Sequence, residues 1–301
     1  MMEYYNMSKT EVKVAIGLLF SHGRVLVGWR DKQQHQGNKN EFPGGKIEHH
    51  ETPISACKRE IFEEVGIEVD EWFAWDEIYY EYDDIIVRLY LFYSFIPDQL
   101  LGSIQDPWTW YSRSDLTSLN FPKANDIILE RLFWPHYIKI SHECMDVYHL
   151  PSDRIVYLRD ANFDEINDLE EIYLNKIIVN IEIAKNLDLD KQKKLNAIHI
   201  KQSQLASLTK KDLVMGCRYI AACHDLESIS MAQRIGCEAI FISPVQKTNT
   251  HINAQPLGWS NFQSLTKVTH ALVFALGGLT PNDLKTAQDF QAYGVAGVSA
   301  F

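Results

Sequence analysis

Cysteine is scarce: five residues, at positions 57, 144, 217, 223 and 237, are odd in number and widely spaced, with no CxxC pair. That pattern excludes a disulfide framework and a zinc-ribbon site, and it reads as buried thiols in a reducing compartment. No stretch approaches the roughly 18 uninterrupted apolar residues of a membrane helix, and the opening MMEYYNMSKTEV has no apolar core before a small-residue cleavage site. A soluble cytoplasmic protein with no membrane partner is expected. Basic residues are outnumbered, 29 Lys and Arg against 40 Asp and Glu, for a formal charge of -11. Such a balance repels long DNA or RNA, so no nucleic acid polymer is expected as a partner. A small phosphorylated ligand is still open to it, because one metal ion or phosphate pocket reverses the local field. Low-complexity segments and fixed-period repeats are also missing.

What is present is ordinary globular composition, 46% hydrophobic and 23% charged over 301 residues. At about 100–200 residues per domain, that length predicts two domains. EVKVAIGLL, from Glu11 to Leu19, and VLVGW, after the turn Ser21-His22-Gly23-Arg24, read as a hairpin. Thr52-Pro53 opens a helix that stops at Gly66, with Thr52 as N-cap and Gly66 as the left-handed residue past the end. Strand patterns from Trp72 to Glu81, Ile85 to Phe95 and Trp108 to Tyr111 follow, then a second helix beginning near Ala124 and ending before Pro135. Together they predict a mixed sheet flanked by helices. The pattern changes after Pro135, which sets the expected domains at 1–134 and 135–301. Beyond it, eight short apolar runs (YIKIS, RIVYLR, KIIVNI, AIHIK, RYIAACH, AIFISPV, ALVFALGG and VAGVSA) predict a parallel (β/α)8 barrel. The link from Ser141 to Asp153 is too brief for a standard crossover helix, so the barrel is expected to be trimmed.

The segment GKIEHHETPISACKREIFEEVGI carries the chemistry. On a helical projection Ile54, Cys57, Ile61 and Val65 share one face, while Glu60, Glu63 and Glu64 gather beside it. Close carboxylates repel by roughly 4 kcal/mol per pair at an effective dielectric of 20, and a divalent cation removes that cost. All-oxygen ligands suit Mg2+ or Mn2+. Arg59, at the cluster's edge, can orient a glutamate by charge-assisted hydrogen bonding. An arbitrary acidic cluster is more often a solvated helix face; the longer pattern decides otherwise. Gly45, five residues, Glu51, seven residues, Arg59-Glu60-Ile61, one residue, Glu63-Glu64, one residue and Gly66-Ile67 match the Nudix box at every specified position.

From about Lys13 to Leu132 the chain resembles MutT-type 8-oxo-dGTP diphosphatases, also through EFPGGKIE, Trp29-Arg30 and FPKAN at Phe121 to Asn125. The resemblance implies a Nudix α/β/α sandwich in which Glu60, Glu63, Glu64 and the Gly44 carbonyl hold metal. It further implies that Arg30 contacts phosphate and that Phe42 and Asn125 meet the base. The implied reaction is attack of water on a phosphorus of a nucleoside triphosphate, releasing the monophosphate and pyrophosphate. Glu60 is the preferred proton acceptor. Where relatives often supply another glutamate this chain reads LGSIQD, leaving Asp106 or Glu51 to stand in. Asn125 ahead of a helix has a competing role as an N-cap. His49 and His50 are expected to be exposed.

The second half resembles thiamine-phosphate synthase and its TenI-like relatives in AIHIKQSQL, AACHDLESISMAQRIGCEAIFISPV, QPLGW and ALGGLTP. The resemblance implies a phosphate site on the backbone amides of Gly277, Gly278, Val298 and Ser299; the competing reading of the glycines is a strand-to-helix turn. Three features of a working synthase are replaced: an Asn-Asp pair by Asn180-Ile181, an aspartate by Ser203-Gln204, and Arg-x-Lys by Arg159-Asp160-Ala161. A barrel without synthase activity is expected. Three functions compete: hydrolysis of oxidised purine triphosphates such as 8-oxo-dGTP, Nudix hydrolysis of another diphosphate such as a thiamine-pathway compound, and a ligand-binding regulatory fusion with weak hydrolysis. Oligomeric state is not set by the sequence.

Overall fold

The strand β1 (Thr10–Ser21) sends alternate side chains to opposite faces, and both faces are buried. Ile16, Leu18 and Phe20 join Trp75, Leu91 and Phe121 in one core; Ala15 and Leu19 join Cys57, Ile61 and Val65 in another. The computed structural model of the protein describes residues 9–30, 32, 37–248, 255–298 and 300–301. These divide into two units, residues up to Phe20 with Val25–Phe133, and Ser21–Arg24 with Trp134–Phe301.

In the first unit the chain continues through β2 (Arg24–Arg30), β3 (Lys39–Glu41), β4 (Gly44–Lys46), the helix α1 (Pro53–Val65), β5 (Phe73–Glu81), β6 (Ile85–Phe95) and β7 (Thr109–Ser112). The strand order is β3-β2-β1-β6-β5, with β4 on β1 and β7 on β2. β1 is parallel to β6, which is antiparallel to β5, so the sheet is mixed as expected.

The caps of α1 are those the sequence predicts. Thr52 accepts a hydrogen bond from the Ser55 amide, Pro53 occupies the first turn, and Gly66 closes the helix in the left-handed region. Thr52→Ala leaves that amide without its partner and is expected to lower stability by about 1 kcal/mol. The check is a lower urea midpoint at unchanged slope; an unmoved midpoint would refute the cap. The second helix differs from expectation at its start. Lys123–Asn125 form a 3-10 turn behind Pro122, and the α-helix covers Asp126–Leu132. Tightened first turns of this kind are common at helix ends.

In the second unit β8 (Tyr137–Ser141), β9 (Arg154–Leu158), β10 (Ile177–Asn180), β11 (Ala197–Ile200), β12 (Tyr219–Cys223), β13 (Ala239–Ile242), β14 (Leu272–Leu276) and β15 (Gly294–Gly297) close into a parallel barrel. Each of the eight predicted runs supplies one strand. Between β8 and β9 the only helical element is a 3-10 turn, Cys144–His149, which is the trimming anticipated from the short link. The interior is filled by Ile138, Ile140, Tyr157, Ile178, Phe241 and Phe274, among others. Trp134 is fully buried with them: its indole donates to Glu238 at 2.9 Å and lies 3.9 Å beneath the Arg218 guanidinium. Among the described residues no helix is long and apolar enough to cross a membrane.

Candidate active site

Two glutamates one turn apart on α1 meet the glycine strand β4. The Gly44 amide donates to Glu64 Oε2 at 2.9 Å, and a Cβ at position 45 would lie 2.3 Å from the Glu60 carboxyl carbon. A Cβ at position 44 would fall 2.2 Å from the Ala15 carbonyl oxygen, at a φ of 148°. Only glycine at both positions allows β1, β4 and α1 to close this tightly. The Gly-Gly pair therefore sets how near the carboxylates come to the backbone.

Arg59 organises the other side of the cluster. Its Nε and Nη2 donate to the two Glu51 carboxylate oxygens at 3.0 Å each, Nη1 donates to Glu60 at 2.7 Å and to Glu63 at 3.1 Å, and Nη2 also reaches the Lys46 carbonyl at 3.1 Å. Hydrogen bonds from Arg59 hold the Glu51 carboxyl below its usual range, and those to Glu51 and Glu60 raise the guanidinium above its own. A bidentate fork of this kind fixes both partners in orientation. Glu51 is thus occupied as an anchor for Arg59, and Glu63 sits at the exposed rim. Asp106, the other residue considered as a stand-in, is exposed, as are His49 and His50.

Sequence reasoning missed Glu41. Its carboxylate receives Arg30 Nε at 2.6 Å and lies 2.5 Å from an Arg30 terminal nitrogen, across the paired strands β2 and β3. Arg30 therefore stands beside the cluster, but as half of an ion pair. The EFPGG signature held the signal, read there only for its glycines and Phe42. Glu64 is an exposed residue overall, yet its carboxyl group is pushed up to about 7, first by loss of water and then by repulsion from Glu41 and Glu60. Three carboxylates that raise one another's energy, with a backbone carbonyl at Gly44 nearby, form an all-oxygen donor set that fits a hard divalent cation.

On the opposite face of the sheet, buried Phe42 stacks on Phe121 with ring centroids 4.8 Å apart. Asn125 is 7% exposed and occupies the N-cap position of the helix Asp126–Leu132, but its side chain makes no capping hydrogen bond. The cap role that competed for this residue is not the one its amide performs.

In the barrel, a cavity of about 910 Å3 at the carboxyl ends of the strands is lined in part by Gly277, Gly278 and Val298. Ser299 lies outside the described residues. At the positions that the resemblance equates with a synthase's magnesium ligands, this chain has other residues. Ile181 is buried, and Asn180 accepts from the Glu182 amide at 3.0 Å while its own amide donates to Gln204 at 3.1 Å. Among the described residues no carboxylate lines the cavity. These residues do not fit a magnesium ion.

Comparison with known proteins divides the chain in the same way. The NUDIX domain family matches residues 15–131, and the thiamine monophosphate synthase family matches residues 156–301. The chain is 32% identical over 124 residues to the 8-oxo-dGTP diphosphatase of Escherichia coli (strain K12), covering 40% of this chain and 96% of that protein. The 8-oxo-dGTP diphosphatase of Proteus vulgaris is 36% identical over 87 residues, 29% of this chain and 78% of that protein. An Aquifex aeolicus (strain VF5) protein named "Putative thiamine-phosphate synthase 2" is 30% identical over 143 residues, 46% of this chain and 72% of that protein. Through its first half the chain belongs to the Nudix hydrolases of the MutT kind, and through its second half to the thiamine monophosphate synthase and TenI family.

Proposed function

We propose that the protein is a metal-dependent nucleoside triphosphate pyrophosphohydrolase acting on oxidised purine nucleotides, 8-oxo-dGTP to 8-oxo-dGMP and pyrophosphate, in sanitation of the nucleotide pool. The observation that carries this reading is the convergence of Glu60 and Glu64 on Gly44-Gly45, with Arg59 tied to Glu51 behind them. Gly44, Glu60 and Glu64 would hold Mg2+ or Mn2+, with Glu63 at the rim. When bound, the ion neutralises phosphate charge and lowers the pKa of water.

The protein's own groups do the rest. Arg59 fixes the Glu60 carboxylate, our preferred acceptor for the proton of the attacking water. Water adds to a phosphorus of the triphosphate, the phosphoanhydride bond breaks, and pyrophosphate leaves. Arg30, half-buried and already oriented by Glu41, contacts the phosphates. Phe42 and the Asn125 amide, which can both donate and accept, meet the purine edge. Measuring pyrophosphate release from a panel of oxidised and ordinary triphosphates tests the assignment; preference for a non-nucleotide diphosphate would overturn it.

Asn125→Ala supplies a sharper test. A lost base contact with its partner left unpaired costs about 1–3 kcal/mol. The ratio of kcat/KM for 8-oxo-dGTP over dGTP is expected to fall by about tenfold or more, since about 1.4 kcal/mol is a tenfold change. A variant that loses stability but keeps its full preference would remove Asn125 from base recognition.

A further inference from the structure

We infer that Tyr82 is a positioning residue for base recognition: its hydroxyl holds the turn that carries Asn125, and so sets where the Asn125 amide stands. The inference rests on the function proposed above, in which Asn125 meets the purine edge.

The 3-10 turn Lys123–Asn125 begins behind Pro122, whose side chain has no oxygen with which to cap it. Inside the turn the Asn125 backbone amide donates to the Pro122 carbonyl at 2.9 Å. The first amides of a helical segment have no partner within it. One of these, the Ala124 amide, donates to the Tyr82 hydroxyl oxygen at 3.2 Å, across 42 residues of sequence. The cap that Pro122 cannot give thus comes from a distant hairpin, and it acts on the residue immediately before Asn125.

Tyr82 is itself held from several sides. It stands at the turn between β5 and β6, where its own amide donates to the Ile85 carbonyl at 2.8 Å. Lys9 Nζ donates to the Tyr82 carbonyl at 2.7 Å and to Glu81 at 2.7 Å. The phenol ring meets Tyr80 edge-on, with centroids 4.7 Å apart, and packs against the core cluster that contains Phe42, Phe121 and Ala124. The hydroxyl is therefore a fixed point of the sheet. Asn125, 7% exposed, makes no cap bond that would orient its side chain. Its amide takes its place from the backbone of the turn, and hydrogen bonds to a base weaken steeply when the donor is misaimed.

The test is Tyr82→Phe in the full chain, which keeps the ring and removes only the acceptor; circular dichroism verifies the fold. The Ala124 amide is expected to exchange with solvent about fivefold faster, as for loss of one ordinary hydrogen bond. KM for 8-oxo-dGTP should rise by about the same factor, in KM rather than kcat, because a base contact acts alike on ground and transition states. A double-mutant cycle separates positioning from mere packing. In an Asn125→Ala background Tyr82→Phe should change KM by less than about twofold, since no amide is left to place. Unchanged exchange at Ala124, or an effect of Tyr82→Phe as large without Asn125 as with it, would overturn the inference. Should the parent chain prefer dGTP to 8-oxo-dGTP, the function proposed above fails instead, and the same cycle run on dGTP decides the role of Tyr82.

Discussion

Glu60→Gln and Glu64→Gln are each expected to lower the turnover of 8-oxo-dGTP by about a thousandfold, the upper end of what loss of one electrostatic contact to the transition state costs. The fold should survive both. Glutamine has the shape of the residue it replaces, Gly45 still admits it at position 60, and Arg59 keeps its two bonds to Glu51. At position 64 the Gly44 amide can donate to an amide oxygen as it does to the carboxylate. What disappears is charge. Without metal, Glu64→Gln should in addition melt at a higher temperature than the parent at pH 8. A carboxyl raised to about 7 from 4.5 contributes stability that is complete below about pH 4.5 and lost as pH rises through 7, whereas an amide carries no such loss. At pH 4 the two proteins should therefore melt alike. Turnover in either variant close to the parent's at saturating Mg2+, or a metal-free Glu64→Gln that melts lower at pH 8, would sink the assignment of this cluster.

The parts of this arrangement that were legible in the sequence are those set by local spacing. Thr52 and Gly66 bracket α1 because caps depend on a few consecutive residues, and the turn of an α-helix fixes Glu60 and Glu64 on one side. The barrel strands were legible because buried parallel strands read as continuous apolar runs. Contacts that depend on the register between distant segments were not. The Arg30–Glu41 pair exists because β2 and β3 align Gly28 with Glu41 and Arg30 with Lys39, and no spacing in the sequence states that alignment. The same holds for Arg159 against His199 and Lys201: the first follows β9, the other two lie at the end of β11, and they line one cavity only when the barrel closes. Asn125 lay between the two cases. Its position before a helix was readable, but whether its amide turned back to cap that helix was decided by the 3-10 turn behind Pro122.

The protein is not expected to condense hydroxymethylpyrimidine diphosphate with thiazole phosphate above background, even though its second half belongs to a synthase family. Departure of pyrophosphate in that reaction leaves charge that a magnesium ion takes up. Here the positions that the resemblance assigns to the ion hold Ile181 and Ser203, Ala161 replaces a lysine that would meet the diphosphate, and Asn180 is committed to a helix cap and to Gln204. If the two halves are chemically separate, a chain ending at Phe133 should also retain most of the nucleotide hydrolysis, since Trp134 is packed with the barrel core. Both statements are open to defeat by direct assay. Thiamine phosphate formed above background would show that the barrel has rebuilt its catalysis from other residues. A soluble, folded fragment ending at Phe133 that hydrolyses nothing would show that the Nudix chemistry needs the second half of the chain.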